Sequence, residues 1–147
     1  MNPELEAKLA SDFPDFFEAK TRNDPETRMQ DGCACGDGWY EIINDFCILT
    51  KIALENARYV ESPDSEPVPH ESPMFEFFQI KQKMGTLRLY YRLWQPEAPD
   101  EGKSKADIEM RLVELRSAIM GFSSYADLLS RKTCEATGNP INRLTHR

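Results

Sequence analysis

Cys33-Ala34-Cys35 is the first place in this sequence where side chains can do chemistry. It lies in a glycine-rich run, Asp31-Gly32-Cys33-Ala34-Cys35-Gly36-Asp37-Gly38. Such a loop lets two thiolates turn toward one ion. Cys134 is a candidate third ligand, with His146 or His70 a fourth. Zinc sites, however, usually pair two cysteine knuckles. Cys134-Glu135-Ala136-Thr137-Gly138 has Thr137 where the second cysteine of a knuckle would stand. The pattern therefore argues for buried or loop thiols and against a resident cofactor. A cysteine nucleophile would need a histidine base, and only His70 and His146 exist, one in a loop and one in the tail. Gly36-Asp37-Gly38 before a helix superficially resembles an anion-binding turn. Asp37 opposes phosphate and no P-loop lysine follows, so that reading is rejected.

Two further groups can bind rather than catalyse. Lys81, Lys83, Arg88 and Arg92 interleave with Tyr90 and Trp94. Basic and aromatic side chains on one strand face can stack on and neutralise single-stranded nucleic acid, and Arg with aromatics also anchors protein interfaces. The acidic set is Asp12, Asp15 and Glu18. Residues 1–79 carry six Lys/Arg against seventeen Asp/Glu, a charge of −11, and residues 80–147 carry twelve against eight, or +4. This split excludes a globally basic nucleic-acid binder. The acidic half can solvate the protein, repel nucleic acid or occupy a basic groove on a partner.

These groups need elements to position them. Residues 74–94 hold two β-type runs about Gly85. They predict an antiparallel hairpin of Met74–Lys83 and Thr86–Trp94, alone or within a small sheet. In the second run Leu87, Leu89, Tyr91 and Leu93 alternate with Thr86, Arg88, Tyr90, Arg92 and Trp94, which sets the two groups on opposite faces. In the first run Phe75, Phe77, Phe78 and Ile80 fall on both faces. A hairpin alone is marginal in water, and two long helices are the expected cover. One is predicted over about 38–59, capped by Asp37, with Trp39, Ile42, Ile43, Phe46, Leu49, Ile52 and Ala53 on its apolar stripe and Cys47 and Leu54 widening it. The other begins near Ser104 and Asp107. It repeats Ile108, Leu112, Leu115, Ile119, Phe122, Ala126 and Leu129 in steps of four and three, with Gly121 a site for a bend. That spacing suits packing on the sheet, and it also suits a helix-mediated homodimer.

A short helix over 3–11, capped by Asn2, opens the chain. Phe13, Phe16 and Phe17 then anchor the segment to the core, and Asn23-Asp24-Pro25 starts a brief helix or an ordered loop. Residues 61–73, with four prolines and four acidic residues, read as an exposed loop, and 131–147 as a polar tail. The expectation is a single α+β domain over 1–147: a hairpin packed by two long helices. No segment reaches transmembrane length, and the start of the chain lacks the pattern of a secretory signal. The expected location is the cytoplasm, without a membrane partner.

Three segments together support a resemblance: Cys35-Gly36-Asp37-Gly38-Trp39 before a helix, the hairpin turn Lys81-Gln82-Lys83-Met84-Gly85-Thr86-Leu87-Arg88, and Thr133-Cys134-Glu135-Ala136-Thr137-Gly138 after a helix. In order and spacing they resemble a group of small phage and prophage proteins that carry CGDGW, K-x-K-x-G-x-L-R and a TCE-x-CG tail. In that group the tail looks like a zinc knuckle, and this chain departs from it at Thr137. The resemblance implies no catalytic residue. It implies a non-enzymatic binding protein, such as an inhibitor of a host defence complex (a CRISPR effector among them). The partner would be a host protein or a protein–nucleic acid complex, met by protein contact or by nucleic-acid mimicry through the acidic half. Two alternatives stand beside it: a nucleic-acid module using the hairpin face, and a metal or thiol enzyme using Cys33, Cys35 and Cys134.

Overall fold

A computed structural model describes residues 1–22, 24–57, 59–62, 65–69, 73–96 and 105–141. In chain order the elements are α1 (Pro3–Asp12), a 3-10 helix (Pro14–Lys20), a 3-10 turn (Met29–Asp31), β1 (Cys33–Ala34), a 3-10 turn (Asp37–Trp39), α2 (Tyr40–Asn56), β2 (Tyr59–Ser62), β3 (Ser65–Pro69), β4 (Met74–Lys83), β5 (Thr86–Trp94) and α3 (Lys105–Ser130). Helix and strand are mixed as expected of an α+β chain.

The hairpin is β4–β5, antiparallel from Met74↔Trp94 to Lys83↔Thr86. Its two-residue turn, Met84-Gly85, has positive φ at both positions, 53° and 75°. That conformation matches the twist of paired strands, and glycine adopts it without strain. The sheet is wider than a hairpin by one short strand: β1 pairs in parallel with β4, Cys33 opposite Ile80 and Ala34 opposite Lys81. Two residues carry no periodicity, so the sequence could not announce that strand.

Parity along β5 holds for Leu87 and Leu89, which are buried, and for Tyr90 and Trp94, which are exposed; Thr86, of the outward set, is buried. The mixed pattern of β4 has a specific cause. Phe77 pairs with Tyr91 and Gln79 with Tyr90, so Phe78 is the extra residue of a β-bulge. Phe75 and Phe77 face the core before it, and Ile80 faces the core after it. Under that face Phe16, Phe17, Phe46, Phe75, Phe77 and Tyr91 form one aromatic cluster. Phe16 lies 4.7 Å from Phe75, Phe17 lies 5.1 Å from Phe77 and Phe75 lies 5.1 Å from Tyr91, centroid to centroid. The early phenylalanines anchor the chain as their sequence suggests, through the 3-10 helix that follows Pro14.

α2 is shorter than predicted. Cys47 and Leu54 are buried as expected, and Thr50 with them, but Leu49 and Ile52 of the predicted stripe are exposed. α3 buries Leu115, Ile119 and Ala126, with Ile108, Leu112, Phe122 and Leu129 half-buried beside them, against α2 and β5. It runs unbroken through Gly121, whose open surroundings demand no bend. At its end Ser130 Oγ accepts the Leu87 amide at 2.9 Å, closing part of the outer edge of β5.

Two predicted irregular segments are ordered in part. Within 61–73, β2 and β3 pair antiparallel, Val60 opposite Val68. Proline is tolerated there because each strand of a two-stranded ladder is an edge. Within 131–147, residues 131–141 fold back in a turn with a Thr133–Pro140 bridge. The expected cap at Ser104 lies outside the described residues, as do Asn23, His70 and His146. No described helix is long and apolar enough to cross a membrane.

Candidate functional site

The first and last motifs of the resemblance meet in space. The Gly38 amide donates to the Glu135 carbonyl at 2.7 Å, the Gly36 amide to Glu135 Oε1 at 2.8 Å, and the Trp39 indole to the Thr133 carbonyl at 3.0 Å. A Cβ on Gly38 would overlap the Cys134 carbonyl and the Gly138 amide. Glycine is required because two backbones touch there. From the other side the N-terminus grips the same loop. The Met1 ammonium donates to the Cys33 and Cys35 carbonyls, and Glu6 Oε1 accepts the Cys33 amide at 2.7 Å. Asp37 does not cap α2. Its carboxylate accepts the Asn2 amide at 2.6 Å and the Asn2 side chain at 2.9 Å, and these bonds hold it below the ordinary carboxylate range.

The thiols in this junction are unequal. Burial pushes the Cys33 thiol up to about 12 and the Cys35 thiol up to about 11, and it raises Cys47 well above its ordinary value. All three are protonated near neutrality, unlike a reactive cysteine. Cys134 is half-buried and shifted the other way, by a hydrogen bond from the Thr137 hydroxyl and then by the Thr137 and Ala136 amides. Thr137 thus turns its hydroxyl to Cys134. Among the described residues no group of three or more His, Cys, Asp or Glu converges as metal ligands. Cys33, Cys35 and Cys134 share a structural junction without forming such a group.

On the outer face of the hairpin, Arg92 bonds the Glu76 carboxylate and lies 3.7 Å from Asp24. Arg22 reaches Glu76 at 2.7 Å and Asp24 at 3.5 Å. Glu76 is 1% exposed, so it is a buried carboxylate between two guanidiniums. Arg92 also lies over the Phe78 and Trp94 rings, at 5.4 and 5.3 Å. Arg88 pairs with Asp127 at 3.3 Å, and Lys81 sits 5.3 Å from the Tyr90 ring. The residues predicted to share this face do share it. Arg88 and Arg92 are already neutralised there, and Tyr90, Trp94 and Lys83 remain exposed.

The acidic set lies elsewhere. A cleft of about 270 Å³ opens between the 3-10 helix after α1, the end of α2 and the start of β4. Phe13, Phe16, Leu54 and Phe75 are its buried apolar wall, and Asp12, Asp15, Lys51 and Glu55 are exposed on its rim. Glu18 is exposed on the same 3-10 helix but is not among the lining residues. The sequence reading missed Lys51 and Glu55. They do not stand out in the sequence: they are four apart on an exposed side of α2 that they share with Ile48 and Ile52, so no polar stripe marks them. Comparison with protein families, curated proteins and solved structures finds no match.

Proposed function

We propose that this chain is a non-enzymatic binding protein whose acidic cleft receives a basic, partly apolar segment of a partner protein. The cleft carries this reading. Three carboxylates at Asp12, Asp15 and Glu55 face one ammonium at Lys51 around an aromatic wall. Complementary charge around an apolar centre is the arrangement that steers and then anchors a protein partner. The motif resemblance supports a phage-encoded inhibitor of a host defence complex. In that role the acidic face stands in for nucleic acid in a basic groove, with Glu18 extending it beyond the cleft. Affinity capture from a bacterial lysate, with and without nuclease, tests the proposal. A stoichiometric protein retained after nuclease supports it. Recovery only of nucleic acid, or of proteins lost on nuclease treatment, contradicts it.

A second reading rests on the exposed Tyr90, Trp94 and Lys83 of the hairpin: a nucleic-acid accessory surface. It requires affinity that falls steeply with salt, and a mobility-shift assay at low salt that detects no DNA or RNA binding removes it.

A further inference from the structure

The acidic cleft is more selective than its charge alone implies. Its volume is about 270 Å³, just below the roughly 300 Å³ at which sites for whole small molecules begin. That is room for one long side chain. Its floor is apolar, with Leu54 and Phe75 buried, so a guest must lay down an aliphatic stem. Its rim is charged on two walls. Asp12 and Asp15 stand on α1 and the 3-10 helix after it, and Lys51 and Glu55 stand on α2. Among the described residues none of these four forms an ion pair. The charge is particular to this cavity. A second one of about 260 Å³, between α2 and α3, has Asp45 as its one charged lining residue.

Lysine and arginine are the side chains that join an apolar stem to a cationic head. Carboxylates on two walls favour arginine. Its planar fork of N–H donors can engage two carboxylates at once, and a guanidinium is more weakly hydrated than an ammonium, so it leaves water at lower cost. Lys51 sets a positive charge on the same rim and opposes the guest.

We infer that the cleft takes a single arginine side chain of the partner, its stem on the Leu54–Phe75 floor and its guanidinium between Asp12, Asp15 and Glu55, with Lys51 limiting the affinity. This rests on the cleft being the contact surface proposed above. Titration of the full chain with N-acetyl-arginine amide, followed by backbone amide chemical shifts, tests it. Shifts are expected at Asp12, Asp15 and Phe16 and along Lys51–Glu55. N-acetyl-lysine amide should bind about fivefold more weakly, and the neutral N-acetyl-citrulline amide should not bind. Asp15→Asn removes a charge-assisted hydrogen bond and should weaken arginine about tenfold. Lys51→Gln should tighten it about threefold at low salt, a gain that local damage to the fold cannot produce. Absence of these shifts at the highest soluble concentration overturns the inference. So does lysine or citrulline binding that equals arginine binding, or a Lys51→Gln variant that binds arginine more weakly. Arginine bound in the cleft with no protein captured from lysate upholds the inference and removes the proposed function. A captured protein that is lost in Asp12→Lys/Asp15→Lys/Glu55→Lys, with no shift from arginine, does the reverse.

Discussion

The outer face of the hairpin and the cleft beside α2 both mix charge with aromatic side chains, but they present opposite surfaces to a partner. On the hairpin the charges answer one another. Glu76 lies between Arg22 and Arg92, and Asp127 holds Arg88. In the cleft Asp12, Asp15 and Glu55 stand around Phe13, Phe16 and Phe75 with Lys51 the one cation among the lining residues. The difference teaches that formal charge in a segment is not the charge a surface offers. The positive second half holds its hairpin guanidiniums in internal pairs, while the negative first half leaves carboxylates in water. Steering depends on the exposed remainder.

The sharpest way to break the comparison is to remove the carboxylate that pairs the hairpin's cations. Glu76→Ala leaves two guanidiniums with only the more distant Asp24 as a partner, and breaking such a buried pair costs about 3 kcal/mol. We place it at the lower end of the usual range because Arg22 and Arg92 keep about a third of their surface in water. Urea unfolding measures the loss. A cost near zero would show that the hairpin charges are free after all.

Next is Gly38→Ala, which forces a methyl group into the contact between the cysteine loop and the tail turn. Overpacking of this kind costs about 2 kcal/mol, read by the same unfolding curves and by the fluorescence of the buried Trp39. At the open Gly121 nothing lies within 4 Å, so Gly121→Ala should be neutral or slightly stabilising.

A smaller effect separates the thiols. The folded values of Cys33 and Cys35, about 12 and about 11, lie above the ordinary 9.0. A thiol raised by folding stabilises fully below its unfolded value, and that contribution is lost as pH rises through the folded one. Stability should therefore fall from about pH 9 upward, and less steeply in Cys35→Ala. At neutral pH Cys134 should react with an exposed-thiol reagent ahead of Cys33, Cys35 and Cys47. Equal rates for all four would contradict the buried junction.

The parts of the molecule legible in the sequence are those governed by local rules. The Asn2 cap, the β5 alternation, the Gly85 turn and the inner seam of α3 all follow from periodicity or from a single residue's backbone preference. The bulge at Phe78 was visible only as an untidy pattern, since one inserted residue reverses parity without marking itself. β1 is two residues long and exists because β4 offers it an edge. Asp37 reads as a helix cap by position, yet it bonds Asn2, thirty-five residues earlier. The Arg22–Glu76 pair spans fifty-four residues. No local pattern encodes such partnerships, so the sequence showed the hairpin's basic residues but not their neutralisation. Asp12 and Asp15 were legible as acidic residues near aromatics. Their cleft appeared only when Lys51 and Glu55 were brought opposite them.

The smallest expected effect on stability, and the largest on binding, comes from the cleft itself. Asp12→Lys, Asp15→Lys and Glu55→Lys alter exposed side chains, so each should change unfolding by less than about 0.5 kcal/mol. The most direct measurement titrates the protein captured from lysate against the wild type, this triple variant and a hairpin variant, Lys83→Glu/Tyr90→Ala, at two salt concentrations. We expect binding to weaken with salt in the wild type, to survive in the hairpin variant and to be lost in the triple variant. Full binding by the triple variant, or loss confined to the hairpin variant, would contradict the assignment of the cleft as the contact surface.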